Sequence, residues 1–154
     1  MESEPPVAAL RGGAMASWAG SAGVCIDREG RILMVLQGKP EEEKKWSVPS
    51  GGLEPGETLE MCCVREVREE TGYEVQVVRV VHEKQGRYDS LDVNFTVTYY
   101  EVIVVGGEPA IQDPDGLIYE IAWKSSDELQ ELDLSFEEDR PLLLSWTSRK
   151  EEPA

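Results

Sequence analysis

Apolar and polar positions along the chain change period several times, and each change marks an element. Trp18 to Ile26 is small and apolar and predicts a buried strand. Asp27-Arg28-Glu29-Gly30 is a turn signal, and Arg31 to Gln37 then predicts the partner strand of a hairpin. Gly38 to Lys45 is a polar, acid-rich loop. Trp46 to Gly56 holds Pro49, Gly51, Gly52, Pro55 and Gly56, which suits a shaped loop better than a regular element. Helical spacing takes over from about Glu57 to Thr71, with acid at the N-terminal end and Gly72 as the stop. Val75 to Val81 is β-branched and predicts a strand that continues toward Lys84. Gln85 to Ser90 predicts a loop, Val93 to Val105 a long strand, Gly106 to Gly116 a loop and Leu117 to Trp123 a last strand. Ser126 or Asp127 suits the cap of a short helical turn. Asp139 to Ser148 predicts a terminal helix with Pro141 in its first turn. Strands in hairpin order mixed with helices predict an α/β fold, with a sheet of mixed direction covered by helices on both faces.

Length and charge narrow the possibilities. A chain of 154 residues suits one domain with a real core. No apolar run approaches the roughly 20 residues of a membrane helix, so no membrane partner is expected. The net charge of −16 repels phosphate backbones and makes binding of long nucleic acid an unfavourable reading. It repels small phosphorylated substrates too, so such a substrate requires a local positive charge, for which a divalent cation is the natural candidate. Cys25, Cys62 and Cys63 form no C-x-x-C unit and predict buried free thiols rather than a zinc site, as in a reducing cytoplasm. Residues 1–16 lack a continuous apolar leader core and are expected to form a loose N-terminal extension, with the domain over 17–149 and a short tail at 150–154.

The chemistry concentrates on the helix after Glu57. Leu59, Cys63 and Val67 are four apart, with Cys62 beside them, and make the face that packs on a sheet. Glu66, Glu69 and Glu70 stand at i, i+3 and i+4, which gathers three carboxylates on another face. Alone, that pattern also suits a solvated helix salt-bridged by Arg65 and Arg68. The loop before it favours chemistry: Gly51, Gly52 and Gly56 allow close backbone approach, and hard oxygen ligands next to such a loop suit Mg²⁺ carrying a diphosphate.

Gly51, then Glu57 after five residues, then Arg65-Glu66-Val67-Arg68-Glu69-Glu70-Thr71-Gly72-Tyr73 after seven more, resembles the Nudix box at every fixed position. The resemblance extends over roughly residues 17 to 148. It implies an α/β/α sandwich with a mixed sheet and the box as loop–helix–loop. It also implies Mg²⁺-dependent hydrolysis of a phosphoanhydride bond in a nucleoside diphosphate linked to another moiety, with Mn²⁺ as a substitute ion. Carried over by position, Glu66, Glu69 and Glu70 are the metal-binding carboxylates, with the Ser50 carbonyl just before the box as a further ligand. Glu57 and Arg65 are the supporting pair. Some family members use a later-loop glutamate as the base; here that position, after residues 113–116, is Leu117. The base is therefore expected within the box, at Glu69, with Glu120 and then Asp115 as fallbacks. A small soluble nucleotide is the expected substrate, a 5′-capped or triphosphorylated RNA end the alternative. A non-catalytic nucleotide-binding or regulatory protein of the same fold is the rival class, but such proteins often lose box carboxylates. Dimers are frequent among similar proteins, which leaves a homodimer open. Outside the box, Trp46 suits either packing or stacking on a base. Lys84, Arg87 and Tyr88 are candidates for touching phosphate or base, and His82 is expected to be structural.

Overall fold

The computed structural model describes residues 17–112, 114 and 116–151. Two sheets carry the fold. β1 (Ser17–Val24), β4 (Ser50–Gly52), β5 (Tyr73–Tyr88) and β6 (Val93–Gly107) form one in the order β4-β1-β6-β5. β2 (Ile32–Gln37), β3 (Lys45–Ser47) and β7 (Ile118–Lys124) form the other in the order β3-β2-β7. β1 runs parallel to β6 and every other pairing is antiparallel, so the mixed direction is as expected.

Strand alternation explains the layers. Ala22, Val24, Ile32, Met34 and Tyr99 pack with Leu129, Leu143 and Trp146, from α2 (Ser126–Leu129) and α3 (Arg140–Glu151). Their neighbours Cys25, Leu33, Tyr100 and Val102 point the other way and pack with Cys63 and Val67 of α1 (Leu59–Thr71). Successive strand residues face opposite sides, so one set of strands serves two cores and helices cover both faces.

Three expectations need correction. β1 and β2 are not the two arms of one hairpin: the turn at Asp27 to Gly30 forms, but backbone pairing beside it is confined to the isolated Ile26–Ile32 bridge. β2 instead pairs with β3 over Val35 to Gln37 and with β7 along Ile32 to Gln37, which gives backbone groups on both of its edges hydrogen-bond partners. The stretch from Trp46 to Gly56 is not wholly irregular, since Ser50–Gly52 pairs antiparallel with Gly20 to Ala22 and Lys45–Ser47 pairs with β2. Finally, Gln85 to Tyr88 is strand, held by cross-strand partners from Thr96 to Val93, and only Asp89–Leu91 turns as a 3₁₀ segment. Trp46 is buried in the core among Leu134 and its neighbours, with the Lys124 ammonium 4.4 Å from its ring centre, so it packs. Residues 1–16 and Asp115 lie outside the described residues. No helix among those described is long and apolar enough to cross a membrane.

Candidate active site

The helix α1 is set at both ends by its sequence. Thr58 caps the N-terminus, its hydroxyl accepting from the Met61 N–H at 3.1 Å. Gly72 ends it at φ 82°, in the left-handed region, and donates its N–H to the Arg68 carbonyl. Any side chain at Gly72 would also meet the Glu108 carbonyl, at 2.2 Å from a Cβ. Cys62, Cys63 and Val67 anchor the buried face. Burial pushes the Cys62 thiol up to about 11 and the Cys63 thiol up to about 12, so both are protonated packing groups at neutral pH.

Arg65 organises the opposite face. Its Nε and Nη2 donate to the two carboxylate oxygens of Glu57 at 2.6 and 3.0 Å, and Nη2 also reaches the Gly52 carbonyl at 2.9 Å. Its Nη1 donates to Glu66 at 2.7 Å and to Glu69 at 3.3 Å. Donating these hydrogen bonds to Glu57 raises the Arg65 pKa further and holds the Glu57 carboxyl below its usual range. Glu66 moves the other way: burial raises it, opposed by its contacts with Glu70 and Arg65.

The loop and helix meet tightly. A Cβ at Gly51 would lie 2.1 Å from a Glu66 carboxylate oxygen, so glycine here lets that carboxylate rest against the β4 backbone. Glu70, 6% exposed, accepts from the Ser50 N–H at 3.3 Å. Ser50 pairs with Ala22 and so belongs to the sheet. The fold therefore brings Glu57, Arg65, Glu66, Glu69, Glu70 and Ser50 into one region.

Four of these side chains are carboxylates, set against a single guanidinium. Taking that many acids out of water with one counterion is unfavourable unless they protonate or a cation joins them. The donor chemistry suits a hard divalent ion. Among the described residues, no three acidic, histidine or cysteine side chains are already gathered into a ready metal-binding group. Instead, Glu66 and Glu69 are turned onto Arg65. Glu120 is exposed on β7, opposite Leu36.

A cleft of about 550 Å³ adjoins the box on the α3 side of the sheet. Ser50 and Gly51 line one part of it, and Lys84, Phe136 and Asp139 another. Lys84, Arg87 and Tyr88 border this cleft, from a strand rather than the expected loop. Asp139 is missed by the sequence reading except as a helix start. Its partners Lys84 and Tyr99 lie 55 and 40 residues away, and no spacing pattern signals such contacts.

Comparison with known proteins decides the family. The NUDIX domain model matches residues 18–146. The chain belongs to the Nudix family. Among relatives, a Mycobacterium tuberculosis protein assigned as mutator protein MutT4 is 35% identical over 100 residues, 64% of this chain and 35% of its own. The NAD-capped RNA hydrolase NudC of the same organism is 33% identical over 111 residues, 70% of this chain and 33% of its own. The chain spans about a third of the length of each of these two relatives. A Nudix hydrolase of Nitrosomonas europaea superposes with a TM-score of 0.71 at 25% identity, covering 86% of each chain. The E. coli ORF135 protein does so with a TM-score of 0.67 at 26% identity, over 92% of this chain and 97% of that one. Nudix hydrolases generally use divalent metal ions.

Proposed function

We propose that this Nudix protein hydrolyses a phosphoanhydride bond in a small nucleotide with Mg²⁺, and that Glu66, Glu69, Glu70 and the Ser50 carbonyl hold the ion. The carrying observation is the Arg65-centred cluster, in which one guanidinium faces Glu57, Glu66 and Glu69 beside the glycine loop. A divalent ion held there supplies charge neutralisation of the diphosphate and a bound water of lowered pKa. Arg65 and Glu57 are positioning residues. Arg65 Nη1 orients the Glu66 and Glu69 carboxylates that would hold the ion, while Glu57 keeps the guanidinium in place.

Among the three acids Glu69 suits the base. Its side chain is 26% exposed, against 13% for Glu66 pressed on Gly51, and Glu70 is buried against Ser50. That leaves Glu69 the freest to meet a water and take its proton. One relative is named for capped RNA. The charge of −16 on this chain supports a small nucleotide over a long RNA, and Mn²⁺ is expected to substitute for Mg²⁺.

A panel of nucleoside triphosphates, nucleotide sugars, dinucleoside polyphosphates and triphosphorylated or capped RNA 5′ ends, each with Mg²⁺, tests this reading through release of monophosphate or pyrophosphate. Turnover of a small nucleotide is expected. Nucleotide binding without turnover anywhere in the panel would make the protein a binder or sensor. RNA ends as the only substrates would overturn the small-nucleotide assignment.

A further inference from the structure

Three successive residues of β4 are each bound by a side chain of α1. The Ser50 N–H donates to Glu70 Oε1 at 3.3 Å, the Gly51 carbonyl accepts from Cys62 Sγ at 3.5 Å, and the Gly52 carbonyl accepts from Arg65 Nη2 at 2.9 Å. Arg65 and Glu70 stand at fixed positions of the box. Cys62 falls among the seven open positions between Glu57 and Arg65, so its contact is a feature of this chain rather than of the motif.

The contact bears on Gly51, where the metal-binding groups converge. A Cβ there would lie 2.1 Å from Glu66 Oε2, so the place of this glycine sets where the Glu66 carboxylate rests. The Ser50 carbonyl carbon is bonded to the Gly51 nitrogen, so the same residue aims that carbonyl. Two glycines in a row turn freely about φ and ψ. β4 is the end strand of its sheet, and its ladder with Gly20 to Ala22 holds one edge of it. Side chains of α1 hold what that ladder leaves.

Cys62 is suited to this task. It is fully buried, and burial keeps the thiol protonated well above neutral pH, so its hydrogen remains a donor. Arg65 Nη2 donates to the sulfur from 3.9 Å, so the thiol accepts from a cation while it gives to Gly51, and each contact polarises the other. The same turn of α1 is tied separately to β1, where the hydroxyl of Ser21, the register partner of Gly51, donates to the Leu59 carbonyl at 2.6 Å. Cys63 supplies the contrast. It is equally buried, but its thiol faces the Ala22 carbonyl of β1 at 3.7 Å and not the box loop.

Resting on the metal-dependent reading above, we propose that Cys62 is a positioning residue for the metal site: its S–H···O=C bond fixes Gly51, and through Gly51 the Ser50 carbonyl and the Glu66 carboxylate. Cys62 touches neither the ion nor the substrate. Its effect is on how well the ion is held.

Mn²⁺ binding to the substrate-free full chain, followed by the paramagnetic resonance signal of the free ion, tests this without turnover. Cys62→Ala should weaken binding about two- to tenfold, the usual net worth of one hydrogen bond. Cys62→Ser keeps a donor and should restore most of the loss. Cys63→Ala should lower the thermal midpoint as Cys62→Ala does, yet leave Mn²⁺ binding unchanged. In hydrolysis the Cys62→Ala effect should fall on the Mg²⁺ concentration needed for half-maximal rate, with kcat at saturating Mg²⁺ kept. Unchanged Mn²⁺ binding in Cys62→Ala overturns the proposal, as does an equal loss in Cys62→Ser or in Cys63→Ala. If Cys62→Ala does not fold, Cys62→Val removes the same donor and is held to the same result. The expected order of Mn²⁺ affinities in a chain that hydrolyses no nucleotide overturns only the hydrolase reading. Mn²⁺ affinity indifferent to Cys62, in a chain that turns over, overturns only this one.

Discussion

Arg65 and Glu57 face each other across the start of α1 in a bidentate pair, two parallel N–H···O bonds of 2.6 and 3.0 Å, with side chains only 15% and 12% exposed. This geometry belongs to arginine, since lysine offers a point charge and no fork. The pair also fixes the guanidinium whose remaining Nη1 touches Glu66 and Glu69. Arg65→Lys is therefore expected to lower activity about 10–100-fold and to weaken Mg²⁺ binding with it, while the fold persists. Initial rates across a Mg²⁺ titration, with circular dichroism as the control, check this.

The same pair carries a pH dependence. Arg65 holds Glu57 below its ordinary value of 4.5, so the folded state favours the ionised carboxylate. The contribution to stability is full above pH 4.5 and is lost as pH falls below it. Denaturant unfolding of the chain and of Glu57→Gln should show a stability difference at pH 7 that shrinks toward pH 3.

The cysteines act at the other end of the scale. The Cys62 and Cys63 thiols are raised from 9.0 to about 11 and about 12 by burial. Their contribution is complete below pH 9 and is lost as pH climbs toward 11–12, because the unfolded chain releases those protons first. At pH 8 the native protein should react with a thiol reagent only at the rate of unfolding, and all three cysteines should react at once in denaturant. Rapid modification of Cys62 or Cys63 in the native protein would contradict their burial.

Two glycines of the box do different work, and substitution separates them. Gly51→Ala places a methyl on the Glu66 carboxylate and should displace it, with activity falling roughly 100-fold and stability little affected. Gly72→Ala forces a side chain into φ 82° and onto the Glu108 carbonyl, costing at least about 2 kcal/mol of stability. Thermal unfolding of both variants beside their kinetics distinguishes the two roles.

Local signals were legible from the chain and distant pairings were not. Thr58 and Gly72 mark the helix because caps act within one turn. Glu66, Glu69 and Glu70 share a face because helical geometry demands it. Val93 onward reads as strand because the β-branched run is long. The hairpin expected of residues 18–37 failed, since turn chemistry at Asp27 to Gly30 says where the chain reverses, not which strands it then joins. Gln85 to Tyr88 looked like loop because Gly86 interrupts it. Gly86 is there because Phe95 occupies its side-chain space, a fact of packing across β5 and β6. Asp139 followed the same rule: a helix start in sequence, a cleft carboxylate only once β5 and β6 bring Lys84 and Tyr99 beside it.

The most direct test of the central claim is the rate of monophosphate or pyrophosphate release from the best small nucleotide of the panel, with and without Mg²⁺, for the unaltered chain and for Glu69→Gln. Release should require the metal. It should fall about 10²–10⁴-fold in Glu69→Gln, the usual worth of a positioned general base, with circular dichroism unchanged. Full release in the presence of a chelator, or near-normal release by Glu69→Gln, would contradict the account.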